Sequence, residues 1–508
     1  MGIGIADSST NSFYVTVDDP DFERVLRILR DKHIRKVYHN SPYDLRVLRN
    51  YNVDIDEVDD TALMARLNRE NSAVLEDISY WIAVNEWGDR QTERATAIFA
   101  KYGVTSMDKV PPEVVAHKCC VDSQAALMLY GKYEPLIDMR YYERLRKLIG
   151  TLERISRQGI LLDQERIEEL HTHYSREVAY FKTLATGMGF NPASPQEVGY
   201  VLATRGNFLP LSRNPNKATL VTDVKVLRKL SDPVAHMVLQ YRHNAKMLGT
   251  YVIPFCGQER AYTTLRMDAA TGRLNSTNAG KNEPDRNLQN IPKNAETKRA
   301  PGIRSAFLPD SGTFTKVDKN QVELYALAHI SGDSRMNAVF SKNGDIHEDT
   351  RKSIGSTRYA AKVFNYAVCY GADAWTVADN IGTNDVPMVQ RMMAAWDETY
   401  PEAAQYFRDV EQFGYDHGWV ETLGGRKMTI PWDLGEKHGR NCCRNYPIQG
   451  TAFEDIAELM LHPFVQDHIS TTRLQVHDEL IFDGDLDLPD AIYNPTESSE
   501  VGHPIYDV

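Results

Sequence analysis

The sequence predicts a multidomain protein, part α/β and part α+β, and three observations carry that expectation. The chain has 508 residues, beyond the size at which a single hydrophobic core keeps growing. Its first 150 residues alternate short β-branched runs with helical spacing, the pattern of an α/β layer. From about Met139 to Met188 the pattern is almost wholly helical, and from Tyr262 onward it turns to strands and loops, a different kind of structure.

Taken in order, FYVTV (13–17) and KVYHN (36–40) read as strands, and FERVLRILRDK (22–32) and PYDLRVLRNY (42–51) as helices. A boundary is expected near 150. RQGILLD (157–163) interrupts the helical stretch, with Gly159 at the turn. NPASPQEVGYVLATRGN (191–207) offers Ser194 as an N-cap and Glu197 three residues later, a capping box. SRNPNKATLVTD (212–223) reads as a polar loop and VLQYRHNAKMLGTYV (238–252) as one helix.

Composition narrows the function classes. Apolar residues make up 42% and charged residues 25%, the values of a soluble globular protein, and no collagen-like, disordered or repeat signature stands out. No charged-then-apolar leader and no run of about 18 apolar residues is found, so an intracellular, cytoplasmic protein with no membrane partner is expected. The six cysteines fall as Cys119-Cys120, Cys256, Cys369 and Cys442-Cys443, without zinc-site spacing, and read as reduced thiols. A net charge of -12 argues against non-specific coating of nucleic acid. Local charge differs: Arg266–Arg304 holds eight Lys/Arg against four Asp/Glu, and Arg351–Tyr370 holds four Lys/Arg and no acid. An acidic protein can still focus positive potential in a cleft.

Three segments carry candidate chemistry. TKVDKNQVELYALAHISGD (315–333) begins as a strand and ends as a helix, which leaves Asp318 at the strand's end; read alone, Asp318 is a helix N-cap. TRYAAKVFNYAVCYG (357–371) repeats Arg358, Lys362, Tyr366 and Tyr370 every four residues, a helical stripe of two cations and two aromatics suited to phosphates at one end and a flat base at the other. RLQVHDELIF (473–482), read as one strand, sets Leu474, Val476, Leu480 and Phe482 on one face with Asp478 among them. A buried carboxylate needs a partner or a metal. Asp318 and Asp478 together could hold two Mg²⁺ ions about 3.5–4 Å apart.

The order of these segments resembles that of the family A DNA polymerases. The resemblance rests on a series: TGRLNST (271–277), NLQNIP (287–292), IRSAF (303–307), DKNQVEL (318–324), GDIH (344–347), the R-x3-K-x3-Y-x3-YG stripe (358–371), GWVETLGGRK (418–427), NYPIQGTA (445–452) and VHDEL (476–480). YRHNAKMLGTY (241–251) is similar to the family's thumb helix, and ERISRQGILLD (153–163) to the segment leading into it. It implies an RNase H-like 3′-5′ exonuclease domain (1–150) followed by a right-hand polymerase: thumb (151–260), palm (261–333), fingers (334–424) and the rest of the palm (425–508). The implied activity is template-directed DNA synthesis in DNA replication, by attack of a primer 3′-hydroxyl on a dNTP, with two Mg²⁺ (or Mn²⁺) ions as cofactors. Primer-template DNA and dNTPs are the implied partners, replication accessory proteins further ones, and a monomer the implied state.

The resemblance also implies roles. Asp318, Asp478 and the Val317 carbonyl would hold the metals, with Glu479 a supporting carboxylate. Arg358, Lys362 and a cationic His347 would contact the triphosphate, with Lys362 also a general acid; Tyr366, Tyr370 and Gln321 would complete the dNTP site. Tyr366 resembles enzymes that tolerate a missing 3′-hydroxyl, and Glu323 matches the residue that crowds a ribose 2′-hydroxyl. Arg273, Asn445 and Gln449 would read the minor groove, Gly371 would close with Tyr370 on the template base, and His477 would approach the primer. In the family HDE sits at the tip of a β-turn, which splits RLQVHDELIF into two strands.

VYHNSPYDLRVL (37–48) and CCVDSQAALMLY (119–130) resemble the second and third exonuclease motifs, with Asp44 and Asp122 as their carboxylates. No DxE precedes Asp44, and Lys118 stands where the third motif has tyrosine, so proofreading is expected to be absent or weak. In the palm, Asn320 and Tyr325 replace a usual Ser and Arg, and Asn441 an Arg. After VHDELIF the family has a long helix and a strand where this chain has a short tail whose HPIYDV could be that strand. The layout fits a phage replicase better than a repair enzyme. A catalytically inactive polymerase fold that binds DNA or accessory proteins is the alternative, and a nuclease whose polymerase half only positions DNA is a third.

Overall fold

The computed structural model describes residues 2–55, 57–82, 92–212, 219–277, 286–292, 302–489 and 492. The strands Gly2–Ala6 and Ser12–Thr16 form an antiparallel pair, and Val37–Tyr38 pairs in parallel with Asp59–Asp60. The first pair lies directly on the helix Pro112–Tyr133, since a Cβ on Gly4 would meet the Cys119 carbonyl at 2.5 Å. Phe22–Arg30 and Pro42–Arg49 are helical as their spacing predicts, the first burying Phe22, Val25, Leu26 and Leu29.

Helix Met139–Gln158, capped by Asp138, runs through residue 150 without a break and ends at Gly159, whose φ of +60° permits the turn into Ile160–Leu162. Its Leu145, Leu148 and Leu152 join one apolar cluster with Leu63 and Leu129 of the amino-terminal layer and with Val317, Leu480 and Phe482. The position of the boundary expected near 150 thus falls inside a continuous helix, between two regions that share a core.

The next helices, Gln164–Gly187, Pro195–Thr204 and Pro233–Lys246, enclose a separate cluster around Val198, Leu202, Leu227 and Val238. The predicted capping box is half formed: Ser194 accepts from the Glu197 backbone N–H, but the Glu197 carboxylate accepts from Asn191 at 2.7 Å. The helix expected over 238–252 is regular only to Lys246; Met247–Val252 widens to a π turn that includes Gly249 and stops before Pro254. Half of the predicted polar loop, 213–218, lies outside the described residues, as does the HPIYDV that ends the tail.

The sheet that matters for function has three antiparallel strands, with Glu479–Asp483 in the centre between Phe314–Asp318 and Thr472–Val476. Helix Val322–Ser331 follows the first strand and shares a core with the helices around Phe364, Trp396 and Ile448. No helix among the described residues is long and apolar enough to cross a membrane.

Candidate active site

RLQVHDELIF is a hairpin, so the one-strand alternation is the wrong frame and the two-strand arrangement holds. Thr472–Val476 and Glu479–Asp483 are its strands, and His477, at φ +57°, makes the tight turn with Asp478. Leu474 and Val476 bury into one cluster and Leu480 and Phe482 into another, so four apolar residues fill two cores. Asp478 sits in the connection between them, part-buried, while its neighbour Glu479 is buried in the ladder.

Asp318 ends the adjacent strand in register with Glu479, and the next backbone N–H, that of Lys319, donates to the Asp478 carbonyl at 3.1 Å. Two segments far apart in the chain thus bring Asp318 and Asp478 to one edge of one sheet. The N-cap reading of Asp318 fails, because the N-cap of the following helix is Gln321, at φ +60°. Val317 is fully buried opposite Leu480. Burial first, then the charges of Glu479 and Glu323, raise the Asp478 carboxyl, with His477 opposing. Such crowding of carboxylates fits a divalent cation. Among the described residues no group of three or more His, Cys, Asp and Glu side chains that could hold a metal is found.

Sequence reading missed the support for this edge. Lys319 and Asp455 are both buried and paired at 3.1 Å, which ties the Asp318 strand to the long helix Glu436–Leu461. An acid at 455 amid Phe453, Ile456 and Ala457 is the signal that could have exposed it.

Glu323 is buried, ion-pairs with Arg273 and accepts from the Tyr370 hydroxyl at 2.6 Å, so one carboxylate joins the TGRLNST segment to the cationic helix. Burial, then the charges of Glu323 and Asp478, raise the Tyr366 hydroxyl, and its ring lies 5.7 Å from that of His347 and 6.3 Å from that of Tyr370. The stripe helix is Arg358–Cys369, N-capped by Thr357. Its missing acid comes from outside the segment: Arg358 Nε donates to Asp345 at 2.6 Å. Lys362 is exposed.

His347 departs from the cationic role that the resemblance implies. It is 2% exposed, its Nδ1 meets Asn365 Nδ2 at 3.1 Å, and burial, then Lys362 and Arg358, pull its pKa down to about 4 despite Asp345. The imidazole is neutral at pH 7. Gln321 is likewise structural in part, its Oε1 accepting from the Ile346 N–H at 3.0 Å. Gly371, at φ +69°, packs against Asn441, whose amide, turned with nitrogen inward, donates to the carbonyls of Gly371 (3.0 Å) and Lys437 (3.2 Å). Asn445 and Gln449 share a face of the long helix, and the Asn445 Oδ1 is buried with no donor among the described residues. A small cleft brings Arg273, Gln289, Gln475, His477 and Asp478 together.

In the amino-terminal layer the Asp44 pKa rises to about 7 through burial and the charges of Asp60 and Asp122. Asp122 has a built-in counter-ion: Lys118 Nζ lies 2.9 Å from its carboxylate and 3.5 Å from Glu76.

A family model described as DNA polymerase family A matches residues 163–492, which take in the whole Asp318–Asp478 site. The chain belongs to this family. Among relatives of family A it is 30% identical to DNA polymerase I of Chloroflexus aurantiacus over 492 residues, covering 88% of this chain and 50% of the relative. It is 30% identical to DNA polymerase I of Deinococcus radiodurans over 393 residues (71% and 40%) and 28% identical to the thermostable DNA polymerase I of Thermus aquaticus over 382 residues (69% and 44%). The chain thus spans half or less of the length of these relatives. Its fold is similar to that of the POL domain of Pol1 from M. smegmatis, solved in complex with DNA primer-template and dNTP, with a TM-score of 0.74 at 22% identity over 93% of this chain and 84% of that one.

Proposed function

We propose that the chain is a DNA-directed DNA polymerase that extends a primer by attack of its 3′-hydroxyl on the α-phosphate of a template-selected dNTP. The observation that carries this reading is the register that sets Asp318 beside the Asp478 turn. Asp318 and Asp478 would hold two Mg²⁺ ions (Mn²⁺ also serving), with the Val317 carbonyl as a further donor and Glu479 in support. Bound there, the metals would activate the 3′-hydroxyl and neutralise the leaving pyrophosphate.

The chain's own groups supply the rest. Arg358 and Lys362 bind the triphosphate, and the exposed Lys362 ammonium donates a proton to the leaving pyrophosphate. Glu323, held by Arg273 and Tyr370, closes the space that a ribose 2′-hydroxyl needs. Tyr366 packs on the sugar, Tyr370 and Gly371 on the template base, and Arg273, Asn445 and Gln449 meet the minor-groove edge, where the acceptors of correct pairs lie. His477 approaches the primer terminus. His347 supports the stripe as a neutral group.

The amino-terminal layer is a 3′-5′ exonuclease relic. The Lys118 ammonium supplies at Asp122 the charge that a metal would bring, which supports absent or weak proofreading. The right-hand division into thumb, palm and fingers, monomeric action on primer-template and a place in DNA replication complete the proposal. Primer extension with dNTPs and Mg²⁺, beside an Asp478→Ala control and a labelled primer without dNTPs, tests it. No extension by the wild type, or extension by the control, overturns it in favour of a non-catalytic DNA-binding fold.

A further inference from the structure

A second, larger cleft of about 270 Å³ opens between the amino-terminal layer, helix Met139–Gln158 and strand Thr264–Arg266. It shares no lining residue with the cleft at Asp478, and neither Asp44 nor Asp122 lines it. Five arginines line it, Arg46, Arg49, Arg66, Arg157 and Arg266, against the carboxylates of Asp60, Glu153 and Asp268.

Those three carboxylates are already engaged. Asp60 accepts from the backbone N–H groups of Asn40, Ser41 and Ala62 and from the Ser41 hydroxyl, all within 3.0 Å. Glu153 pairs with Arg49, and Asp268 accepts from Asn275 at 2.7 Å. Arg66 and Arg266 make no ion pair at 4.0 Å or less among the described residues. They come from opposite walls, one from the helix Thr61–Leu67 and one from the strand, yet are close enough for each to repel the other's charge. The Nε atoms of Arg49 and Arg266 are buried with no acceptor. Burial and the neighbouring Arg426 and Arg266 pull the Arg66 guanidinium down, against Asp60 and Asp268.

Five guanidiniums against three carboxylates that are already hydrogen-bonded or paired leave the cavity with excess positive charge, which favours binding of an anion. The same cavity has apolar walls at Leu63, Leu152 and Leu265, and an aromatic ring at Tyr262. Guanidiniums and apolar surface lining one cavity, in a volume near the lower limit for small-ligand sites, suit a nucleotide better than a bare phosphate.

We propose that this cleft is a second nucleotide site, in which Arg66 and Arg266 hold the phosphate of a mononucleotide or of one residue of a single strand. It is independent of the polymerase reading. Titration calorimetry of the complete chain with dTMP, inorganic phosphate and tetrathymidylate tests it. Wild-type protein binds dTMP or tetrathymidylate, and Arg66→Gln and Arg266→Gln each weaken that binding about tenfold or more. Lys362→Ala, in the proposed dNTP site, and Asp122→Asn, in the amino-terminal layer, leave the part of that binding that depends on Arg66 and Arg266 unchanged. Binding of tetrathymidylate without dTMP supports the phosphate site and assigns it to a strand. Binding of inorganic phosphate alone overturns the nucleotide assignment. No binding at all, or binding as tight as wild type by both arginine variants, overturns the site. Arg266→Gln, on the strand side, keeps the test open should Arg66→Gln fail to fold.

Discussion

Asp318 with Asp478 and Asp44 with Asp122 are two sets of carboxylates in one chain; burial raises Asp478, Asp44 and Asp122 alike, and what differs is the cation that the fold sets beside them. Around Asp478 the nearest charges include Glu479 and Glu323, which add to its burden, while Lys319 turns away to Asp455. Around Asp122 a lysine from its own helix already provides the counter-charge, and Asp44 is raised to about 7, so that it is half protonated at neutral pH. Asp122 has its cation within the fold, at Lys118, whereas for Asp318 and Asp478 the proposed function would supply one as a metal. An aspartate pair is thus read less by its own geometry than by whether a lysine has answered it.

The sharpest way to break the comparison is Asp478→Ala, which should lower primer extension about 10³-fold or more through loss of several kcal/mol of transition-state stabilisation. Retained extension would remove the contrast. Glu323→Ala releases both Arg273 and Tyr370 and should relax ribonucleotide exclusion by about 10- to 100-fold; an unchanged ratio of rNTP to dNTP incorporation counts against it. Tyr366 predicts ready use of dideoxynucleotides, and strong discrimination against them in a termination assay contradicts that role.

Asp44 gives a pH test of the other pair. Its folded pKa, about 7, lies above its ordinary 3.8, so the folded form retains a proton that the unfolded form releases. Stability from this group is full below pH 3.8 and is lost as pH rises to about 7. Asp44→Asn should therefore raise the melting midpoint at pH 8, by about 2 °C or more, and change it little at pH 4. The smallest expected effect is none: Lys118→Met should leave a labelled primer undegraded, because charge removal does not supply the missing ligands. Primer loss in wild-type protein without dNTPs would sharpen the opposite conclusion.

Much of the site was legible because it lies in short motifs whose spacing is local. The stripe from Arg358 to Tyr370 needs only helical periodicity, and Asp318 at a strand's end needs only the change of period after it. What failed depended on distant partners. One-strand alternation across RLQVHDELIF ignored that His477 adopts φ +57°, a conformation no pattern of apolar residues announces. Arg358 looked unbalanced until Asp345 arrived from another helix, and His347 looked cationic until burial beside Asn365 lowered it. The helix through 150 was legible as helix but not as a joint, since only the tertiary core shows that both its ends pack into one cluster.

That helix limits how the protein can be shortened. A cut at 150, chosen to discard the amino-terminal layer, would sever Leu145 and Leu148 from Leu152 and uncover the side of the cluster that holds Leu480 and Phe482. A minimal enzyme would have to keep the helix from Asp138 and give its newly wetted face polar residues, or the hairpin that carries Asp478 would lose its backing.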